Sequence, residues 1–431
     1  MSYKRSKFNI IRSVNGKQIL YNTYSGHIME MNDTNIHYML DSDLVNINSE
    51  KMASYLKLGF IVDSDVNEDD IIDELRKKHI VESETLYLYL LPTEECNFRC
   101  VYCYEQFKHV WMHKRIQDSI IEYVRQNIKK YKYLRVEWFG GEPLLALDIV
   151  EYMSAQLINI CRENSVIYYA AMTTNAYTLN LNTFKKLIRC KVRSYQITID
   201  GLRETHDRQR CLANGNGTFE RIIKNLIDIK NNVKTNVLDI TLRVNISKSI
   251  LQNIYSVIDY FNETLLVDKR FNLFLKLVGD YGGDRVKNIS EQLCDLNDLD
   301  DAIAYCKKNG INMYESAPLG IGGNVCYASK NSSWVIGADG KIYKCTVALY
   351  DDANHVGNVG ENGKFEIFED KLKLWTGSCK EHGFQCSNCV NSPICLYSIC
   401  YKRILCGQDT GCQFIDDEIQ KHLINYINCK Y

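Results

Sequence analysis

Hydrophobic and polar residues follow two rhythms along this chain. From Leu86 onward, short apolar runs recur with a helical stripe after each one: Leu86–Leu91, Leu134–Phe139, Val166–Met172, Tyr195–Ile199, Ile240–Asn245 and Phe271–Leu277 read as strands. Between them, Ile116–Ile128, Ile149–Cys161, Thr183–Ile188, Phe219–Ile229 and Ile254–Phe261 carry apolar positions at helical spacing. Strands alternating with helices predict βαβ units on a parallel sheet. Six such units make an α/β fold, a partial (β/α)6 TIM-like barrel, with reactive groups expected at the C-terminal ends of the strands.

The first eighty residues have a different rhythm. Phe8–Arg12, Lys17–Tyr21 and His27–Met31 read as short strands, the first two joined at Asn15-Gly16, a strong hairpin signal. Helical patterns follow at Thr34–Leu40, Ser49–Leu58 and Asp69–Lys78, with Asp69 and Asp70 suited to a helix start. The expected division is residues 1–80, a barrel over 84–278, a connector over 279–318 holding a helix near Leu299–Lys308, and a cysteine-rich domain over 319–431.

A chain of 431 residues is long enough for two or three cores. A formal net charge of −1 gives no electrostatic argument for nucleic acid or a membrane surface. No apolar run is expected to reach membrane-spanning length, and the N-terminus lacks the apolar core of a signal peptide. These features predict a reducing, cytoplasmic location. Eighteen cysteines there point to metal ligation for the clustered ones. Cys161, Cys190, Cys211, Cys294, Cys306, Cys379, Cys406 and Cys429 stand singly and read as small buried hydrophobes or surface thiols.

Two groups carry chemistry. Cys96, Cys100 and Cys103 follow the first strand at spacings of three and two residues, giving three soft ligands on one loop. A [4Fe–4S] cubane needs four ligands, so three thiolates leave one iron open; a zinc knuckle or three buried thiols is the plainer alternative. In the second group, Cys326 is followed by thirteen residues to Gly340 and four to Cys345, and then come Cys386, Cys389, Cys395, Cys400 and Cys412. Seven cysteines without regularly spaced histidines suit two clusters better than one zinc.

The Cys96–Cys103 motif, with aromatic Tyr102 before its third cysteine, resembles that of the radical S-adenosylmethionine (radical SAM) enzymes. The resemblance implies that SAM chelates the open iron and is cleaved to a 5′-deoxyadenosyl radical. Gly140-Gly141-Glu142-Pro143 matches the family's motif for SAM's amino group. The strand around Thr198 resembles that of peptide and sulfatase maturases, which implies contacts from Thr198 to the ribose or carboxylate and from Arg210 to the carboxylate. Thr173-Thr174-Asn175 reads as a turn, Asp200 and His206 suit ordering the loop as well as they suit touching substrate, and Arg243-Val244-Asn245 receives no role.

The later cysteines resemble the SPASM extension of radical SAM peptide maturases of the ranthipeptide and sactipeptide type. That implies three [4Fe–4S] clusters: one binding SAM, one auxiliary on Cys386, Cys389, Cys395 and Cys412, and one on Cys326, Cys345 and Cys400 with an open iron unless Cys379 or Cys406 is recruited. Four residues separate Cys395 from Cys400 where the family has three. The N-terminal part resembles winged-helix-like elements that bind leader peptides by strand addition, with a folding cap or dimerisation domain as the alternative. The implied activity is thioether formation on a ribosomally made precursor peptide, with an external flavodoxin- or ferredoxin-type donor. Carbon–carbon crosslinking and epimerisation also suit the fold. Formylglycine formation is disfavoured, because Thr346 stands where sulfatase maturases carry an aspartate. A non-catalytic iron–sulfur carrier or peptide-binding module would have no use for Gly140, Gly141, Glu142, Thr198 and Arg210 beside an open cluster.

Overall fold

A computed structural model describes residues 2–31, 47, 49–279, 284–314, 319–384, 386, 388–398, 400–405 and 412–430. The expected helix at Thr34–Leu40, as well as Cys406, lies outside these residues, as does the side chain of Cys429. The chain forms two compact units, one of Met1–Ser83, Ser316–Ser332 and Asp370–Tyr431, the other of Glu84–Glu315 and Ser333–Glu369. This division cuts across the four consecutive segments expected, for reasons visible in each unit.

In the first unit, β1 (Tyr3–Arg5) precedes the antiparallel sheet of β2 (Asn9–Val14), β3 (Lys17–Asn22) and β4 (Ile28–Met31). Val14 pairs with Lys17 across a tight turn in which Asn15 and Gly16 take φ of 48° and 78°, the left-handed pair that the Asn-Gly dipeptide favours. Then β5 (Ile61–Asp63) returns to pair with β1. The helix Glu68–Arg76 starts one residue earlier than expected because Asn67 accepts the Asp69 N–H.

So small a sheet cannot bury its own face. The C-terminal helix Cys412–Lys430 covers it, with Ile415, Ile419, Leu423 and Ile427 at four-residue spacing packed on Ile10, Val14, Ile19 and Tyr21. That shared core is why residues 1–80 and the last cysteine segment form one unit.

In the second unit, six parallel strands lie in sequence order: β6 (Thr85–Leu90), β7 (Tyr133–Trp138), β8 (Ile167–Thr174), β9 (Val192–Thr198), β10 (Asp239–Ile246) and β11 (Phe271–Leu277). Sheets covered by helices on both faces read as continuous apolar runs, yet these strands alternate. Leu134, Val136 and Trp138 are fully buried, whereas Tyr133, Arg135 and Glu137 are not. Arg135 and Glu137 line a cavity on the other face, shared with Ser194, Gln196, Asp239 and Thr241.

The open edge at β6 is covered by β12 (Ser333–Ile336), parallel to it, and the sheet continues antiparallel through β13 (Lys341–Tyr343), β14 (His355–Val359) and β15 (Phe365–Ile367). Residues 333–369 are therefore sheet extension. At the other edge, Met313 bridges Leu273 of β11. Contrary to expectation, Pro143–Glu163 is long and apolar enough to span a membrane. Val150, Met153 and Leu157 within it are fully buried in this unit, as in the core helix of a barrel.

Candidate active site

Four strand ends of the second unit converge on one cavity. Its lining includes Cys96, Cys100, Tyr102 and Cys103 after β6, Gly140, Gly141 and Glu142 after β7, Thr174 and Asn175 after β8, and Thr198 and Arg210 from β9 onward. All three cysteines and every expected SAM-contact residue of the first motif set are here, whereas Pro143, Asp200 and His206 are not in the lining.

The cysteine loop is held from two sides. Arg99 and Val101 donate their N–H groups to the carbonyls of Cys211 and Gln209 at 2.9 and 3.0 Å, and Ala213 donates to Asn97 at 2.9 Å. On the other side, Glu142 N donates to Glu95 O at 2.8 Å. A Cβ on Gly141 would run into that same Glu95 carbonyl, and one on Gly140, at φ 88°, would stand 2.8 Å from Leu91. The paired glycines are thus required by the approach of the cysteine loop itself.

Glu142 is buried and committed: its carboxylate accepts from Thr174 Oγ1 at 2.6 Å, Leu144 N at 3.1 Å and Asn175 N at 2.7 Å. The Tyr102 hydroxyl is committed too. It donates to Asp200 and accepts from Arg210 Nη1 at 2.8 Å and Asn245 Nδ2 at 3.0 Å. What Tyr102 offers the cavity is its ring.

His206 is fully buried, and burial pushes its pKa well below the usual value, so the ring is neutral. Its Nδ1 accepts the Asp200 N–H at 3.1 Å, which leaves the proton on Nε2 to face Thr218 Oγ1 at 3.0 Å. Thr218 in turn donates to the Arg210 carbonyl at 2.7 Å. His206 therefore orders the loop that carries Arg210. Asn245, given no role from sequence, completes this net.

Two buried polar atoms in the cavity lining have no partner: Arg210 Nε and Glu105 Oε2. Buried polar atoms are rarely left so, and both belong to residues that line the one cavity. Burial, helped by Glu94 and Glu142, pushes the Glu105 carboxyl up to about 8. Burial likewise raises the thiols of Cys96, Cys100 and Cys103, so metal binding must displace their protons. Among the described residues, no three metal-ligating side chains converge on a single-ion position. Three soft thiol donors lining one cavity are the ligand chemistry of an iron–sulfur cubane.

The later cysteines divide. Cys386, Cys389, Cys395 and Cys412 are mutual neighbours in the first unit. Cys326 and Cys400 also belong to that unit, whereas buried Cys345 follows β13 in the other, its N–H bonded to Asn354 Oδ1 at 2.9 Å. Cys161, Cys190 and Cys306 are buried singly, as their isolation suggested. Cys379 is also buried but bonds to Cys386. Glu105 was missed, Asn245 was noted without a role, and Cys379 was weighed as a ligand only for the cluster of Cys326, Cys345 and Cys400.

A family model described as the Radical SAM superfamily matches residues 90–248. The chain carries a radical SAM enzyme domain. The domain's cofactors are SAM and a [4Fe–4S] cluster, and its matched span contains the whole cavity lining. A cysteine-type anaerobic sulfatase-maturating enzyme from Clostridium novyi (strain NT) is 25% identical over 341 residues, 72% of this chain and 87% of that protein. An Fe-coproporphyrin III synthase from Methanosarcina barkeri is 25% identical over 171 residues, 40% of this chain and 39% of that one. The chain thus spans well under half of the second relative. Among solved structures, native anSMEcpe with bound AdoMet and Cp18Cys peptide superposes at TM-score 0.53 with 19% identity, over 72% of this chain and 88% of that one. Streptococcus suis SuiB bound to precursor peptide SuiA also gives 0.53, with 16% identity, over 94% and 97%. At such identities the likeness concerns the α/β fold with its central parallel sheet.

Proposed function

We propose that this radical SAM enzyme modifies a ribosomally made precursor peptide, joining a cysteine sulfur to carbon in a thioether. The observation that carries the reading is the single cavity that gathers Cys96, Cys100 and Cys103 with Gly140, Gly141, Thr198 and the unpartnered Arg210 Nε. When bound, the cluster and SAM supply a 5′-deoxyadenosyl radical able to abstract hydrogen from carbon. In this reading the three cysteines hold the cluster, and the guanidinium of Arg210 meets the SAM carboxylate. Gly140 and Gly141 keep the backbone low enough for the ammonium group, while Thr198 contacts the ribose or carboxylate. Tyr102, locked through its hydroxyl, shields one wall from water.

A peptide substrate is supported by the polar inner face of the sheet. Arg135, Glu137, Ser194, Gln196, Asp239 and Thr241 surround about 370 Å³ of space, and Thr173 lines both this space and the cysteine cavity. The structures of anSMEcpe and SuiB with bound peptides agree with that reading. A leader segment would add to an edge of the β2–β3–β4 sheet. Cys386, Cys389 and Cys395 with a fourth thiol would hold an auxiliary cluster, fed by a flavodoxin- or ferredoxin-type donor in a reducing, cytoplasmic setting. Formylglycine formation is the second reading, favoured by the Clostridium novyi relative and opposed by Thr346.

The test is mass spectrometry of a cysteine-containing precursor peptide after anaerobic incubation with the reconstituted enzyme, SAM and a reductant. A thioether product is two hydrogens lighter and its cysteine no longer alkylates. Desaturation or crosslinking with an alkylatable thiol, or loss of the sulfur, would exclude it.

A further inference from the structure

The inner face of the parallel sheet is hollow where a barrel is normally packed. Closed barrels fill this space with layers of branched aliphatic side chains. Here one register row across four strands reads Glu137, Ala171, Ser194 and Asp239. Two small residues at its centre leave room. The cavity over this row shares Thr173 with the cysteine cavity. A second space of about 550 Å³ shares Arg135, Ala171, Ser194 and Asp239 with it and is also lined by Tyr169, Lys191 and Arg193. The three spaces thus follow one another from the cysteine loop to the foot of the strands.

Charge along this trough is uneven. Arg135 Nε donates to Glu137 at 2.6 Å, and Asp239 accepts from Asn272 Nδ2 at 2.6 Å. At the foot, Arg193 commits only Nη1, to the Ile188 and Val192 carbonyls. Among the described residues, no carboxylate lies within ion-pair distance of Arg193 or Lys191. Lys191 is held in the left-handed region, at φ 56°, just past the helix Leu181–Arg189 and its cap Cys190. Glycine is the favoured residue there, so a lysine kept in that conformation marks a side chain in use.

We propose that the foot of this trough is a carboxylate subsite, where Lys191 and Arg193 bind an acidic side chain or the chain end of the precursor peptide. The proposal rests on the peptide-substrate reading above and adds the class of residue the peptide must carry. A guanidinium and an ammonium lining one space suit a carboxylate, the first by its planar fork and the second as a point charge. Arg193 and Thr198 are five residues apart on β9, about 17 Å. An extended peptide crosses that span in about five residues, so its carboxylate would sit at the foot while the residue to be modified lies at the cysteine cavity.

The probes are acetylated, amidated synthetic peptides with one cysteine and one aspartate separated by alanines, together with their asparagine counterparts. They are titrated calorimetrically into full-length reconstituted enzyme with SAM. Aspartate peptides are expected to bind about tenfold more tightly than asparagine ones, most strongly near a separation of about five residues. An asparagine peptide with a free C-terminal acid regains the affinity if the site takes chain ends, and stays weak if it takes side chains. Lys191→Gly separates ligand from scaffold: it relieves the left-handed backbone, so the unfolding midpoint should rise while the aspartate preference falls towards unity. Arg193→Gln, which keeps an amide donor for the Ile188 carbonyl, should narrow the preference likewise. Equal affinity for both peptides in the wild type, or an undiminished preference in Lys191→Gly, overturns the subsite and leaves the peptide reading in place. Loss of all binding with a lower midpoint in Lys191→Gly would mark the lysine as scaffold and overturns it too. A wild-type enzyme that binds none of these peptides overturns the subsite and the peptide reading together.

Discussion

The two cysteine sites of this chain are built on opposite plans. Around Cys96, Cys100 and Cys103 the walls mix Phe98, Phe107 and Phe139 with charged Glu105, Glu142 and Arg210, and Arg210 Nε and Glu105 Oε2 are left without partners. Around Cys379, Cys386 and Cys395 the walls are Phe8, Ile72, Ile394, Leu396 and Tyr397, and both terminal nitrogens of Arg76 are spent on backbone carbonyls. Unsatisfied buried groups are costly unless a ligand completes them. The first site is made for molecules that come and go, and the second for a group that stays.

The sharpest way to break this contrast is to remove one thiol from each. Cys100→Ala should reduce 5′-deoxyadenosine formation from SAM and reductant to background, whereas Cys395→Ala should leave it measurable in the absence of peptide. Equal losses would mean that the two sites do not differ in role. The cations sharpen the comparison next. Arg210→Met removes the nearest charge facing the buried Asp200 carboxylate, which keeps its bonds from Tyr102 and Asn245 N, at a cost of about 1–3 kcal/mol in denaturant unfolding and with loss of SAM binding. Arg76→Met strands two carbonyls, at about 1–3 kcal/mol, and should leave SAM binding intact.

The first site was far more legible than the second, for physical reasons. Its ligands are contiguous, each motif ends a strand, and the strand runs were long enough to read to within three residues at either end. Asn15-Gly16 likewise announced its own turn, because a left-handed pair needs those residues. What sequence could not show was pairing at a distance. Ser333–Ile336 is four residues long, too short for a period, and its partner β6 lies far earlier in the chain. The stripe Ile415, Ile419, Leu423 and Ile427 says that a helix buries one face, not that the face meets the N-terminal hairpin. Gly141 was assigned through its motif to SAM's amino group, whereas the nearer constraint is the Glu95 carbonyl. Cys379 looked solitary because its partners are gathered by a turn, not by a short repeat.

The mildest test concerns the support beneath Arg210. His206 has a folded pKa depressed well below its ordinary value by burial and by Arg210. Once unfolded, the ring takes a proton near pH 6.5 that the folded state refuses. The stabilisation is present above that pH and is lost as pH falls, by up to about 1.4 kcal/mol per pH unit. Denaturant midpoints measured from pH 7 down to pH 5 should therefore fall more steeply for the wild type than for His206→Gln, whose amide cannot titrate. If the His206→Gln slope matched the wild type, the ring would be protonated in the folded state. The hydrogen-bond order from Asp200 through Thr218 to Arg210 would then have to be reversed.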